Sequence, residues 1–288
     1  KSGTFHLKAE GLDEQVTLID LPGTYSIYPK SHDETVVMNI LANPEHPDFP
    51  SLIVVVVDAS NLQRNLLLFT EIHDLGIPVV MALNMIDVAQ SMNLSVNAVQ
   101  LAMHFRVPVV NINARTGEGI PHLHQAIAQT LIDGPKTNID YFYQPTSQEK
   151  ELIGDVKKGY GIHNDYVALQ YVCQHDNFSF LGTEQRVRLD KLIEKHHFDE
   201  NEFLAKETVA RYDKLKTIVS KAVKVEGVTQ QPYWTRKLDE ILLHPFWGYV
   251  TFFLVLLVIF QAIFSWASYP MDLIDEGTAA VIDWVKGV

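Results

Sequence analysis

Cysteine is nearly absent: Cys173 stands alone among 288 residues. An internal disulfide is therefore excluded, and the composition suits a reducing compartment. A lone cysteine on a helical pattern reads as a small buried apolar residue. Basic residues are also scarce, with 23 Lys and Arg against 35 Asp and Glu and a net charge of −12. The deficit is steepest in residues 1–144, which carry 7 basic and 15 acidic residues. This balance argues against a nucleic-acid partner. No GxxxxGK[ST] loop occurs, so the usual cradle for α- and β-phosphates is missing from residues 1–288. No signal peptide and no initiator Met open the chain, and Lys1 reads as the interior of a longer product. Finally, Asp, Glu, Lys and Arg are all absent from Ile241 to Met271.

Within what is present, three loops stand out. Asn84-Met85-Ile86-Asp87 follows the apolar run Pro78-Val79-Val80-Met81-Ala82-Leu83. An Asp at the carboxyl end of a buried strand accepts from both the N1 imino and the exocyclic amino protons of guanine, a paired charge-assisted bond that adenine cannot match. The Asn three residues earlier can tether neighbouring loops or the base edge. Asp20-Leu21-Pro22-Gly23 follows Gln15-Val16-Thr17-Leu18-Ile19. There an Asp holds a magnesium water in the outer shell, and a Gly offers its N–H to a γ-phosphate where no side chain fits. Asn113-Ala114-Arg115 follows Pro108-Val109-Val110-Asn111-Ile112, and a small residue there lets a backbone N–H approach the guanine oxygen. Each motif is weak alone. Their order, with a strand before each, points to a guanine-nucleotide domain.

The surrounding pattern agrees. Residues 3–9 and 15–20 read as a hairpin, and Leu52 to Val57 as a buried strand. Asn61 to Leu75 reads as a helix, Pro78 to Asn84 as a strand and Ser95 to Phe105 as a helix. Pro108 to Ile112 and Ile120 to Ile132 repeat the alternation. The expected fold is an α/β parallel sheet with helices on both faces, incomplete because its first strand and phosphate loop are missing. Removing that central strand would expose apolar edges. A small all-α domain follows, with helices expected over Asp165–Cys173, Glu184–Lys195 and Asn201–Val223 and an apolar stripe of Tyr212, Leu215, Ile218, Val219 and Ala222. The charges of 184–207 read as a solvated face, and Tyr141-Phe142-Tyr143 as packing between domains.

The charge-free run reads as a membrane segment. Phe246 to Trp266 is 21 residues, about 31 Å as a helix, one hydrocarbon thickness. Trp247, Tyr249, Trp266 and Tyr269 flank it as interfacial aromatics. Residues 214–237 hold six Lys or Arg and one Glu, whereas 272–288 hold four acids and one Lys. The positive-inside bias places residues 1–245 in the cytoplasm. Trp234 to Leu243 reads as an interfacial helix. The expected divisions are 1–135 for the nucleotide domain, 136–228 for the helical domain, 229–245 for an amphipathic juxtamembrane segment, 246–266 for the span, and 267–288 for a non-cytoplasmic flank or the start of a next membrane segment. Twelve histidines form no cluster with metal-ligand spacing, and surface or capping roles fit them.

The sequence resembles the bacterial ferrous iron transporter family FeoB. The stretches that carry the likeness are Val16 to Ser26, Val57-Asp58-Ala59-Ser60-Asn61-Leu62-Gln63-Arg64-Asn65-Leu66, Ala82 to Asp87, Ile241 to Gly248, and Pro270-Met271-Asp272. Met85 is part of it, since most small GTPases carry Lys there. The resemblance implies a cytoplasmic G domain, a helical domain acting as a nucleotide-dissociation inhibitor, and a polytopic part in the bacterial inner membrane that carries Fe2+. It implies GTP or GDP with Mg2+ as ligands, and a homo-oligomer and small accessory proteins as partners. By it, Asp20 sits near Mg2+ through water and Gly23 at the γ-phosphate, with Leu21 and Pro22 between them. Asn84, Met85, Ile86 and Asp87 hold guanine, and Asn113, Ala114 and Arg115 its oxygen. Thr24, Tyr25 and Ser26 begin switch II. Thr24 stands where Ras-type enzymes place a water-orienting Gln, so slow turnover is expected, by a catalytic group the sequence does not name. A chain of residues 1–288 is expected to bind GTP poorly, for want of the phosphate loop. A membrane-tethered signalling GTPase is the alternative.

Overall fold

In the computed structural model, residues 1–9, 11–24, 26–28, 32–135, 140–225 and 244–263 are described, together with 242, 274, 276–279, 282 and 286. Tyr25, most of the expected amphipathic segment (229–241 and 243) and the end of the apolar run (264–266) lie outside the described residues. The chain divides into two units, residues 1–227 and 228–288.

In the first unit, strands alternate with helices because buried apolar runs alternate with amphipathic ones. β1 (Ser2–Ala9) and β2 (Leu12–Ile19) form an antiparallel hairpin turned at Gly11, whose φ of 87° suits glycine. After α1 (His32–Leu41) come β3 (Ile53–Asp58), α2 (Leu62–Asp74), β4 (Val79–Asn84), α3 (Ile86–Ser91), β5 (Leu94–Val96), α4 (Ala98–Phe105), β6 (Val109–Asn111) and α5 (Ile120–Asp133). The order β3-β4-β6 makes a parallel sheet. Its register sets Asp58 beside Asn84 and Leu83 beside Asn111, so the carboxyl ends of the strands lie level.

Alternation along the central strand assigns its two faces. Val79, Met81 and Leu83 enter the main core with α2 and α4, while Val80 and Ala82 pack with Ile112 and Leu123 against α5. A strand buried on both faces needs an unbroken apolar run, which Val79 to Leu83 supplies. The hairpin forms a separate two-stranded sheet and reaches α5, where Phe5 stacks on His124 at 5.3 Å. Val56 on β3 and Leu18 on β2 are each 57% exposed, apolar side chains on strands short of neighbours.

Helices α6 (Ser147–Tyr160), α7 (Asp165–Gln174), α8 (Thr183–Lys195) and α9 (Glu200–Ala222) follow. Thr146 and Glu149 close a reciprocal cap at the start of α6. These helices share one core with the sheet half, joined through Phe142, which lies between Phe105 and the α9 cations Arg211 and Lys214.

Two expectations are corrected. Ser95 and Val96 do not begin a helix: with Leu94 they form β5, which pairs with β7 (Val223–Val225) where α9 ends. Nor is the 184–207 face wholly solvated, since Glu207 is 1% exposed. In the second unit, α10 (Trp247–Gln261) spans 15 residues, about 22 Å. Among the described residues no helix is long and apolar enough to cross a membrane.

Candidate functional site

The carboxyl ends of β4 and β6 bring two of the three loops together. Asn84 closes β4, and its Oδ1 accepts from the Ala114 N–H at 3.2 Å. Met85 takes a left-handed conformation (φ 60°, ψ 33°), an uncommon one for a side chain other than Gly, Asn or Asp. That reversal starts α3 and places Asp87 in its first turn. The Asp87 carboxylate lies 3.5 Å from the Arg115 guanidinium, with the two side chains 50% and 83% exposed. So open a pair contributes at most about 1 kcal/mol, and a ligand with better donors would displace it.

The Asn113 side chain shapes the second loop from within. Its Oδ1 accepts from the N–H groups of Arg115 and Thr116 at 3.1 and 3.2 Å, while its backbone bridges to Glu118. Gly119 then turns the chain into α5 at φ 79°, and a Cβ there would fall 2.1 Å from the Asn111 carbonyl oxygen. Gly119→Ala is expected to destabilise the fold by at least the 1–3 kcal/mol, roughly, of a forced left-handed residue. It would also loosen the 113–118 loop. Thermal unfolding measures the first effect and amide exchange at Ala114 the second.

The Asp20 loop sits apart. Among the described residues no hydrogen bond or ion pair joins 20–23 to 84–87 or 113–115. Asp20 is exposed, and its backbone pairs with Lys1 through N–H···O bonds of 2.7 and 2.9 Å. Leu21 leans on the main core, and a Cβ added to Gly23 would meet open space. The segment after it is fastened elsewhere: Thr24 Oγ1 bonds Ser26, and Ser26 Oγ and Ile27 N–H donate to the Glu71 carboxylate at 3.1 and 2.9 Å. A cleft of about 350 Å3 lies at the opposite ends of β4 and β6, lined by Pro78, Arg106, Pro108 and Lys214. None of its lining residues belongs to the three loops.

The family model described as Ferrous iron transport protein B, FeoB_N, matches residues 2–127. Over these residues the chain is similar to the FeoB family. The Fe(2+) transporter FeoB of Leptospira biflexa is 26% identical over 304 residues, covering 100% of this chain and 43% of that protein. The Fe(2+) transporter FeoB of Staphylococcus aureus strain MSSA476 is 30% identical over 279 residues, covering 93% of this chain and 41% of that protein. Thus the chain spans about two fifths of the length of these curated relatives. The cytosolic domain of L. pneumophila FeoB superposes with a TM-score of 0.59 at 26% identity, over 77% of this chain and 84% of that one. The G-domain-like fold of FeoB cytosolic domains is therefore present here.

Sequence reasoning missed one group of residues near the Asp20 loop. Tyr28, Glu71, Glu207 and Arg211 form a buried polar cluster behind the Asp20 loop. A signal was available. Glu207, Arg211, Leu215 and Ala222 recur at helical spacing on α9, and all four are buried.

Proposed function

We propose that residues 1–135 are the guanine-nucleotide domain of a GTP-dependent ferrous iron transporter. The observation that carries this reading is the Asn84–Ala114 bond, with Asp87 and Arg115 beside it at the carboxyl ends of parallel strands. Ligands of such sheets bind there. Asp87 would accept from guanine N1–H and its amino group once Arg115 swings off. Asn84 ties the two loops, Met85 and Ile86 flank the base, and the Ala114 N–H stands by for the guanine oxygen, with Asn113 and Arg115 framing it.

The residues fit the base better than the phosphates. Asp20 is an exposed carboxylate suited to hold Mg2+ through water, and Gly23 leaves room for a γ-phosphate near its N–H. When bound, Mg2+ would offset phosphate charge. The GxxxxGK[ST] loop that usually cradles the α- and β-phosphates does not occur in residues 1–288. Leu21 and Pro22 set the spacing, and Thr24, Tyr25 and Ser26 begin the segment that responds to nucleotide.

In the same reading, residues 136–228 act as the nucleotide-dissociation inhibitor. Residues 229–245 lie at the bacterial inner-membrane surface, 246–266 span it, and 267–288 lie beyond it or begin another membrane segment. The uniformly exposed apolar side chains from Phe252 to Phe260 support the span. Residues 1–245 would be cytoplasmic, Fe2+ the cargo, and homo-oligomers and small accessory proteins the partners. Relatives named as Fe(2+) transporters favour this over a membrane-tethered signalling GTPase.

A titration of the chain with GDP and ADP in Mg2+, followed by NMR, tests the base site directly. GDP is expected to shift the Ala114 and Arg115 amides at concentrations where ADP does not. Equal responses to the two nucleotides, or none, would remove the proposal.

A further inference from the structure

The segment behind Gly23 is tied to both halves of the first unit by buried carboxylates. Glu71 on α2 is 3% exposed and accepts from Ser26 Oγ and Ile27 N–H. Glu207 on α9 is 1% exposed and accepts from the Tyr28 hydroxyl at 2.5 Å and the Tyr166 hydroxyl at 2.6 Å. Arg211 joins Glu207 to Asp74, each at 2.8 Å. Gln170 on α7 also donates to the Tyr28 hydroxyl at 2.9 Å. A stretch following a phosphate-type loop thus rests on α2 and on α9 together.

The charges around it do not balance. Glu71, Asp74 and Glu207 are three buried carboxylates, and Arg211 is the one buried guanidinium among the described residues. His73 stands 3.5 Å from Asp74. Even with that imidazole counted as a cation, the acids are in excess. Other titratable neighbours, Tyr28 on the segment, Tyr166 and Cys173 on α7, and Tyr141 and Tyr143 before α6, are driven by burial toward their neutral forms, and Glu149, bonded by the Tyr143 hydroxyl, is a further buried acid. An uncompensated carboxylate in such a place is costly unless it takes a proton.

We propose that Glu71 is the positioning residue of the segment that follows Gly23, fastening Ser26 and Ile27 to α2 while Glu207 fastens Tyr28 to α9, and that closing the segment takes up a proton. The meaning for nucleotide exchange rests on the function proposed above; the closure itself does not. Burial is the largest influence on Glu71 and, with the charge of Glu207, raises its carboxyl from 4.5 to about 7 despite the bonds from Ile27 and Ser26. Opening the segment would hydrate that carboxylate and return it toward its ordinary value. The closed state then holds more protons than the open one above about pH 4.5. Rising pH therefore favours opening, with the trend levelling off beyond about pH 7.

Amide exchange at Ile27 and Tyr28, corrected for the intrinsic base-catalysed rate, reads this equilibrium in the whole chain. Between about pH 6 and about pH 8.5 protection is expected to fall roughly tenfold. Glu71→Gln keeps an acceptor for Ile27 and a donor for Ser26, so it is expected to stay protected with no pH slope. Glu71→Ala is expected to lose protection at every pH. A flat wild-type profile, a Gln variant that keeps the wild-type slope, or an Ala variant as protected as wild type would each overturn the proposal. The GDP titration separates the two readings. If GDP leaves Ala114 unmoved while the pH slope persists, the nucleotide site fails and proton-linked closure stands; a flat slope with a GDP response gives the reverse.

Discussion

Arg211→Met is expected to lower the unfolding free energy by about 3–5 kcal/mol, the cost of stranding buried charges without their counterion. The Arg211 side chain is fully covered, as is that of Asp74. Its Nε and one terminal nitrogen donate to Glu207 at 2.9 and 2.8 Å, and its charge lies 4.9 Å from the Tyr166 ring centroid. Asp74 depends on it in turn, because that carboxylate also accepts from the Phe142 and Tyr143 N–H groups at 2.6 and 3.0 Å. Methionine fills much of the volume but supplies no donor, so Glu207 and Asp74 would lose their cation together. In a unit of this size the loss corresponds to a melting point lower by on the order of 10 °C. Lysine at 211 should recover only part of it, since an ammonium cannot fork between two carboxylates in the same geometry. Urea unfolding followed by circular dichroism measures both variants. A loss below about 1 kcal/mol for Arg211→Met would mean that the cluster is not charged in the folded state.

Asp87→Ala is expected to weaken GDP binding by roughly 10- to 150-fold while leaving the weak response to ADP alone. The range follows from about 1.5–3 kcal/mol for a hydrogen bond to a charged group. Asp87→Asn is the sharper test. An amide offers one acceptor and one donor where the carboxylate offers two acceptors. Guanine presents two donors on that edge, whereas xanthine presents one donor and one carbonyl. The Asn variant should therefore prefer xanthosine diphosphate to GDP, in the same NMR titration that reports on Ala114 and Arg115. Unchanged preference in the Asn variant would show that residue 87 does not touch the base.

The strand and loop order was legible because its physics is local. Five apolar residues from Val79 to Leu83, begun by Pro78 and ended by Asn84, make a buried strand by themselves. The helical half was legible from its stripe on α9. Its buried charges were less so: Glu207 and Arg211 share the helical face of Leu215 and Ala222, but periodicity sorts charged residues to the outside by default. Glu207 is buried because Tyr28 and Tyr166 arrive from two other places in the chain to bond it beside Arg211, one turn further along α9. Reading Ser95 and Val96 as the start of a helix fails for a similar reason. Three residues carry too little pattern to separate a strand from a helix start, and the pairing partner is far along the sequence. In the site, Asn84 reads from the sequence as a tether for neighbouring loops or for the base edge, and its side chain bonds the Ala114 N–H. The hold of Glu71 on Ser26 and Ile27 had no short-range signal at all.

The pairing of β5 with β7 bears on how the protein is made. Leu94 finds its partner in Val225, and the Asn97 N–H bonds the Ala222 carbonyl at 2.8 Å. As synthesis proceeds from the amino terminus, β5 leaves the ribosome long before β7 exists. Its backbone must wait in water, or in the care of a chaperone, until all of α9 has emerged. The nascent chain can therefore finish this corner of its architecture only when the last strand is delivered, which makes the late step non-local and slow.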